Sequence, residues 1–323
     1  MRYMVAMGAS PERIFAACSP GLEQTLEREL SGLGLSARAV PGGAEAEGED
    51  AVALACLGSR AADAVVLRLF QGPPAGLPGA RREARRRFGE EAPLAVRRQG
   101  GEATLSLDAA GAPLFKRGWR ARIGAAPLRE SLAAGILLAC GHDGTAPFLD
   151  PMCGSGTLAI EAALIAARRA PGLGRSFAFE RWPGHDAART ERLRARFRAA
   201  ERDPPAPIHA SDRNGGAVRL AARNAAAAGV AGFLEIARAD AAGVVPPPGT
   251  GLCCVNPPYG LRLGEDAPGA WRALAALLPR LAGWALAVLA PERRLENVFG
   301  IEPAEILPVR NGGLACRLLR YRL

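Results

Sequence analysis

Lysine is almost absent from this 323-residue chain: Lys116 stands alone among 41 cationic residues, and every other one is arginine. With heavy alanine, glycine and proline usage beside it, this marks a GC-rich coding background. The choice of arginine over lysine therefore carries no information about partners. Histidine is scarce too, limited to His142, His185 and His209. The seven cysteines (Cys18, Cys56, Cys140, Cys153, Cys253, Cys254 and Cys316) include no C-x-x-C pair. Zinc clusters at usual spacings are excluded, and no metal is expected. Most of these cysteines lie in apolar runs, which predicts small buried thiols suited to a reducing cytoplasm. The first ten residues lack a basic stretch followed by a long apolar one, so no signal peptide is expected. Leu132–Cys140 and Ala159–Ala167 stop well short of the roughly 20 residues a membrane span needs. The expectation is a cytoplasmic protein with no membrane partner.

What is present is a globular composition, 49% hydrophobic and 23% charged, with a net charge of +9. That excludes a disordered chain and points, though only coarsely, to a polyanionic partner. The length predicts two domains or three small ones. Arg13–Cys18 reads as a strand, and Pro20–Gly34 as a helix with Leu22, Leu26, Leu30 and Leu33 on one face and Gly34 past its end. Ala37–Val40 and Glu45–Glu47 flank a Gly42-Gly43 turn, and Val52–Phe70 reads as one long apolar helix. The order predicts a small α+β ferredoxin-like unit over residues 13–72. Gly72–Gly79 reads as a linker. Arg81, Arg82, Arg85, Arg86 and Arg87 follow, then two strands, Leu94–Arg98 and Ala103–Asp108, around Gln99-Gly100-Gly101. Pro127–Cys140 reads as a helix.

From Pro147 onward, apolar strands alternate with alanine-rich helices. Phe148–Asp150, Ile208–Asp212, Leu234–Asp240, Leu252–Asn256 and Trp284–Ala290 read as strands; Thr157–Ala170, Asn214–Ala228 and Ala270–Leu281 read as helices. The alternation predicts an α/β, Rossmann-like, doubly wound and mostly parallel sheet. Ligands of such sheets bind beyond the carboxyl ends of the strands.

The informative residues stand there. Asp150-Pro151-Met152-Cys153-Gly154-Ser155-Gly156-Thr157 joins the first strand to its helix. Gly154 and Gly156 allow a tight turn and a close backbone approach, and Gly154-x-Gly156-x-x-Ala159 fits a dinucleotide fingerprint. Asp212 ends the second strand, where a carboxylate accepts ribose hydroxyls. Asp240 ends the third, placed for an adenine amino group. Each alone reads equally as a helix cap; three in register favour an adenosine ligand. Asn256-Pro257-Pro258-Tyr259 closes the fourth strand. Its prolines make a stiff corner lacking N–H donors. Asn256 Oδ1 and the Pro257 carbonyl form an acceptor pair for a planar amino group. Two accepted hydrogen bonds draw that nitrogen toward a tetrahedral shape and free its lone pair. Tyr259 offers a face for a flipped-out base.

These residues resemble the class I S-adenosylmethionine-dependent methyltransferases of amino groups. More narrowly, the chain resembles the THUMP-associated RNA methyltransferases, near the bacterial 23S rRNA guanine-N2 enzymes. The segments that carry the likeness are Leu105–Asp108, Gly111, Leu114–Arg120, Ala126–Ala133, Arg169–Gly172, Phe177–Pro183, Val309–Leu314 with Cys316, and Cys18–Glu23. The resemblance implies a methyltransferase domain over residues 111–323 and a truncated THUMP-like RNA-binding segment over 80–110. It implies S-adenosylmethionine bound by Pro127, Leu128, Asp150, Met152, Cys153, Gly154, Ser155, Gly156, Thr157, Asp212, Arg213, Asp240 and Ala241. Asn256, Pro257, Pro258 and Tyr259 are the expected catalytic residues. RNA, rRNA foremost, is the expected partner, held by Arg81, Arg82, Arg85, Arg86, Arg87, Lys116 and Arg117. Three alternatives stay open: the same chemistry on adenine N6 in DNA or RNA, on cytosine N4 or on a protein glutamine amide; a nicotinamide dehydrogenase with Glu180 as its ribose acid; and a non-catalytic RNA-binding protein.

Overall fold

The structure, a computed structural model, describes residues 11–120, 128–259, 266–291 and 295–323. Met1–Ser10, where the signal-peptide reading falls, lies outside the described residues. The strands are β1 (Glu12–Ala17), β2 (Ser36–Val40), β3 (Gly43–Gly48), β4 (Ala64–Gly72), β5 (Leu94–Gln99), β6 (Glu102–Asp108), β7 (Phe148–Asp150), β8 (Ile208–Asp212), β9 (Leu234–Arg238), β10 (Leu252–Val255), β11 (Ala285–Pro291), β12 (Glu305–Asn311) and β13 (Leu314–Arg322). The helices are α1 (Glu23–Gly32), α2 (Ala51–Gly58), α3 (Leu77–Phe88), α4 (Glu130–Ala139), α5 (Thr157–Ala166), α6 (Ala187–Ala199), α7 (Gly215–Ala227) and α8 (Ala267–Leu277). The chain forms two compact units. Of the described residues, the first comprises those within 11–18, 22–116 and 170–199; the second comprises those within 19–21, 117–120, 128–169 and from 200 onward.

In the first unit, β1, α1, β2, β3, α2 and β4 follow the ferredoxin-like order, and one antiparallel sheet runs β2-β3-β1-β4-β6-β5. Leu22, Leu26 and Leu30 are fully buried. Gly34 takes φ +93° past the end of α1, where Gly34 N–H donates to Ser31 O and Leu35 N–H to Leu30 O. That is the glycine stop the sequence implies. The expected helix over Val52–Phe70 is instead α2 followed by β4. The Glu29 carboxylate breaks it, accepting from Ser59 Oγ at 2.7 Å and from the Arg60 and Ala61 amides at 2.6 and 3.1 Å. Beyond that turn the burial period is two, with Val65, Leu67 and Leu69 on the core face. Gly72–Gly79 is no linker either. Pro74–Gly76 is a 3₁₀ turn, and Pro78 lies in the first turn of α3, where a missing N–H costs nothing.

Two expected divisions of the chain differ from the observed units. The 80–110 segment, anticipated as a THUMP-like piece of its own, adds most of α3 and the β5–β6 hairpin to the same sheet. Residues 170–199, expected within the methyltransferase domain, fold into the first unit. There Phe179 N–H donates to Ala109 O at 3.0 Å and Ala178 N–H to Ala110 O at 3.3 Å.

In the second unit the sheet order is β12-β13-β11-β10-β7-β8-β9. Strands β9, β8, β7, β10 and β11 are mutually parallel, and β13 runs antiparallel between β11 and β12. The order reverses between β7 and β10, which makes that the switch point where a crevice opens. Cys253, Val255, Leu286 and Val288 bury one sheet face beneath Trp271, Leu274 and Leu277 of α8. Helix α5 ends at Ala166 rather than Ala170, because Arg168 adopts φ +53°. Six of the seven cysteines are buried and all are free. No described helix is long and apolar enough to cross a membrane.

Candidate active site

The carboxyl ends of β7, β8, β9 and β10 carry the singled-out residues of the second unit. Asp150, the last residue of β7, is 1% exposed and accepts from the Met152 amide at 3.3 Å. Burial pushes its carboxyl up to about 8, and the nearby Asp212 carboxylate adds to that. The folded protein thus keeps a proton that the unfolded chain releases, so stability falls as pH rises from about 4 through about 8 and is level above. Asp150→Asn removes this dependence. Melting temperatures of both proteins between about pH 5 and pH 9 check it: the wild type loses stability relative to the variant as pH rises, and parallel curves would contradict the assignment.

Asp212 ties the loop after β7 to its own strand end. Its Oδ2 accepts the Gly154 amide at 2.9 Å and its Oδ1 the Asn214 amide at 2.8 Å. Each oxygen keeps a further lone pair for a ligand hydroxyl. The loop is also held by Cys153 N–H on Ser211 O at 2.8 Å and by fully buried Asn224, whose Nδ2 donates to Ser155 O at 2.9 Å. Gly154 and Gly156 take φ +54° and +84°, values that disfavour any side chain. A Cβ on Gly156 would come within 3.0 Å of Ala221 Cβ, whereas one on Gly154 would meet nothing within 4 Å. Gly156 is therefore needed for packing against α7, and the loop at Gly154 faces open space. Asp240 lies two residues past β9, opens a 3₁₀ turn over Ala241–Gly243 and accepts the Ala242 amide at 3.0 Å. Arg213 is exposed and Ala241 buried.

Asn256 stands one residue past β10. The Tyr259 hydroxyl donates to Asn256 Oδ1 at 2.5 Å, which turns that oxygen into a fixed acceptor with one lone pair left. Burial raises the Tyr259 phenol well above the usual range, so it stays a donor. Trp271 of α8, 1% exposed, donates through Nε1 to the Pro258 carbonyl at 3.2 Å and pins the double-proline corner.

Sequence reasoning missed three of these supports. Trp271 and Asn224 sit at helical spacing, where they read as core. Arg120 lay in a segment noted only for resemblance. Its Nη2 donates to Leu128 O at 2.9 Å and to Thr157 Oγ1 at 3.1 Å, and its Nε to Glu130 at 3.0 Å. It clamps the start of α4 to the start of α5. Pro127, expected beside the cofactor, lies outside the described residues; Leu128 is 5% exposed.

Among the expected RNA-binding residues, Arg117 must be corrected. Its side chain is 3% exposed and pairs at 3.3 Å with Glu161, which is fully buried, so it braces α5 instead of meeting phosphate. Lys116 is exposed. Glu180, the ribose acid of the dehydrogenase reading, pairs at 2.6 Å with Arg194 in the first unit. It is not on the sheet that carries the glycine loop. No three His, Cys, Asp or Glu side chains among the described residues are grouped to hold a metal ion.

Comparison with known proteins bears on the same elements. Residues 117–320 match the family described as RMKL-like, methyltransferase domain, and residues 13–66 match the RlmL ferredoxin-like domain. A ribosomal RNA large subunit methyltransferase K/L of Psychromonas ingrahamii is 39% identical over 69% of this chain and 31% of its own length. Its namesake in Chromohalobacter salexigens is 32% identical over 96% of this chain and 52% of its own. The chain thus spans about half or less of the length of these two relatives. Among solved structures, SMU.472, a methyltransferase candidate complexed with SAH, is 25% identical with a TM-score of 0.85, covering 97% of this chain and 98% of that one. A Listeria monocytogenes chain named a predicted N6-adenine-specific DNA methylase is 26% identical with a TM-score of 0.86, covering 97% of both.

Proposed function

The chain belongs to the RMKL-like methyltransferase domain family, and from that membership we propose that it transfers a methyl group from S-adenosylmethionine to an exocyclic amine of an RNA base, guanine N2 of 23S rRNA foremost. The observation that carries the reading is the convergence of Asp150, Asp212, Asp240 and Asn256 at the carboxyl ends of four adjacent parallel strands. The cofactor supplies an electrophilic methyl group when bound. The residues present fit it. Open space over Gly154 admits a ligand against the loop backbone, and the free lone pairs of Asp212 suit a ribose diol. Asp240 would hold the adenine end, and the Leu128–Thr157 region that Arg120 clamps would hold the methionine end.

At the acceptor, Asn256 Oδ1 and the Pro257 carbonyl receive the two amino hydrogens. They draw the lone pair out of conjugation and aim it in line with the methyl carbon. S-adenosylhomocysteine would leave as the N–C bond forms, and the methylated nitrogen would then lose its proton to solvent, the neutral Asn256 and Pro257 oxygens being too weakly basic to keep it. Tyr259 holds Asn256 Oδ1 and Trp271 holds the neighbouring Pro258 carbonyl, so the positioning is built before substrate arrives.

Adenine N6 is the second reading, favoured by the name of the Listeria neighbour. Labelled methyl transfer to rRNA and to DNA in parallel separates the two: label in rRNA guanine supports the proposal, and label only in DNA adenine overturns its acceptor. Thermal shift with S-adenosylmethionine against NAD tests the cofactor, and stabilisation by NAD alone would contradict it.

A further inference from the structure

The five clustered arginines of α3 are not equivalent. Arg85 pairs with Glu90 at 2.8 Å, Arg86 pairs with Glu83, and the Arg87 guanidinium lies 5.0 Å from the Phe88 ring centroid. Arg81 and Arg82 are exposed and have no hydrogen-bond or ion-pair partner among the described residues. A sixth arginine joins them. Arg98 stands on β5, the edge strand of the sheet, opposite fully buried Ala103 of β6, and so on the face that α3 covers. Arg98 is likewise exposed and without a partner among the described residues. Leu77, Pro78, Arg81, Arg82, Arg85 and Arg98 line one groove of about 510 Å³. Arg85 Nε is buried there with no hydrogen-bond partner.

We propose that this groove between α3 and the edge strand β5 seats the phosphodiester backbone of the RNA substrate, through Arg81, Arg82 and Arg98. Three unneutralised guanidinium groups around one groove repel each other, and a polyanion relieves that repulsion. Guanidinium forks match phosphate oxygens in pairs. Leu77 and Pro78 complete the lining, with no aromatic ring on which a base would stack, so the contacts are those of a grip on phosphate. The inference rests on the RNA methyltransferase reading and sharpens it. The contacts move from Arg86 and Arg87, which are occupied, to Arg98, which lies outside the run.

The test uses the full chain and a labelled single-stranded RNA. The Arg81→Gln/Arg82→Gln/Arg98→Gln variant is expected to raise Kd at least about tenfold near 0.1 M salt. It should flatten the log–log salt slope by about 2, at ~0.7 per lost phosphate contact. Arg98→Gln alone should flatten it by ~0.7. Arg86→Gln/Arg87→Gln should leave both within about twofold. Arg81, Arg82, Arg86 and Arg98 are exposed and Arg87 is half-buried, and an unchanged melting temperature confirms folding. The proposal is overturned if Arg98→Gln leaves the slope unchanged, if the Arg86/Arg87 variant weakens binding as much as the triple one, or if poly-glutamate displaces RNA at matched charge. A wild type that binds RNA through this groove yet transfers no methyl would remove the activity and leave the groove standing.

Discussion

Asn256→Ala is expected to cut methyl transfer by about 10²–10³-fold or more while S-adenosylmethionine binding, measured by calorimetry, stays within about twofold. The reason is geometric. Asn256 Oδ1 is already oriented by the Tyr259 hydroxyl at 2.5 Å, and the corner beneath it is pinned by Trp271. Removing the side chain deletes one of the two acceptors that the substrate amine needs and leaves the glycine loop and Asp212 untouched. Asn256→Asp keeps an acceptor oxygen and should recover part of the rate. Loss of cofactor binding with transfer intact would reverse the assignment.

Asp212→Ala has the complementary signature: cofactor affinity falls by about 10–100-fold, and transfer recovers at saturating cofactor. Hydrogen bonds to a charged group are worth roughly 1.5–3 kcal/mol, and this carboxylate accepts two from the backbone before any ligand arrives. Truncation both removes the ribose acceptor and frees the Gly154 amide, so the loop loses one of its two anchors to β8 and keeps the Cys153 amide on Ser211 O. The melting temperature should fall as well. Asp212→Asn keeps one acceptor oxygen and should lie between. An unchanged dissociation constant in Asp212→Ala would remove this residue from the cofactor site.

The parallel sheet was legible because each of its strands reads as a short apolar run between helical stretches, and the chemistry stands just past the strand ends. Asp240 and Asn256 fall one or two residues beyond strands that the pattern extends through them. The first unit was harder. Val52–Phe70 is apolar throughout, and periodicity alone cannot divide a buried helix from a buried strand. The division is made by Glu29, a residue about 30 positions away that holds the turn at Ser59–Ala61. Arg117 shows the same limit. A cation next to Lys116 reads as surface, and only the tertiary structure brings Glu161 to it. Arg98 escaped for a related reason. It is 13 residues or more from Arg81–Arg85 in sequence, and sheet pairing brings it to their groove.

The most direct test of methyl transfer to an RNA base amine is mass mapping of methylated nucleotides in rRNA from a strain lacking this protein, before and after incubation with the purified chain and labelled S-adenosylmethionine. The account predicts a guanine that is unmethylated at N2 in the deletion strain and gains one labelled methyl on incubation with the wild type but not with Asn256→Ala. A methylation map identical to that of the parent strain, with no label entering RNA, would contradict it.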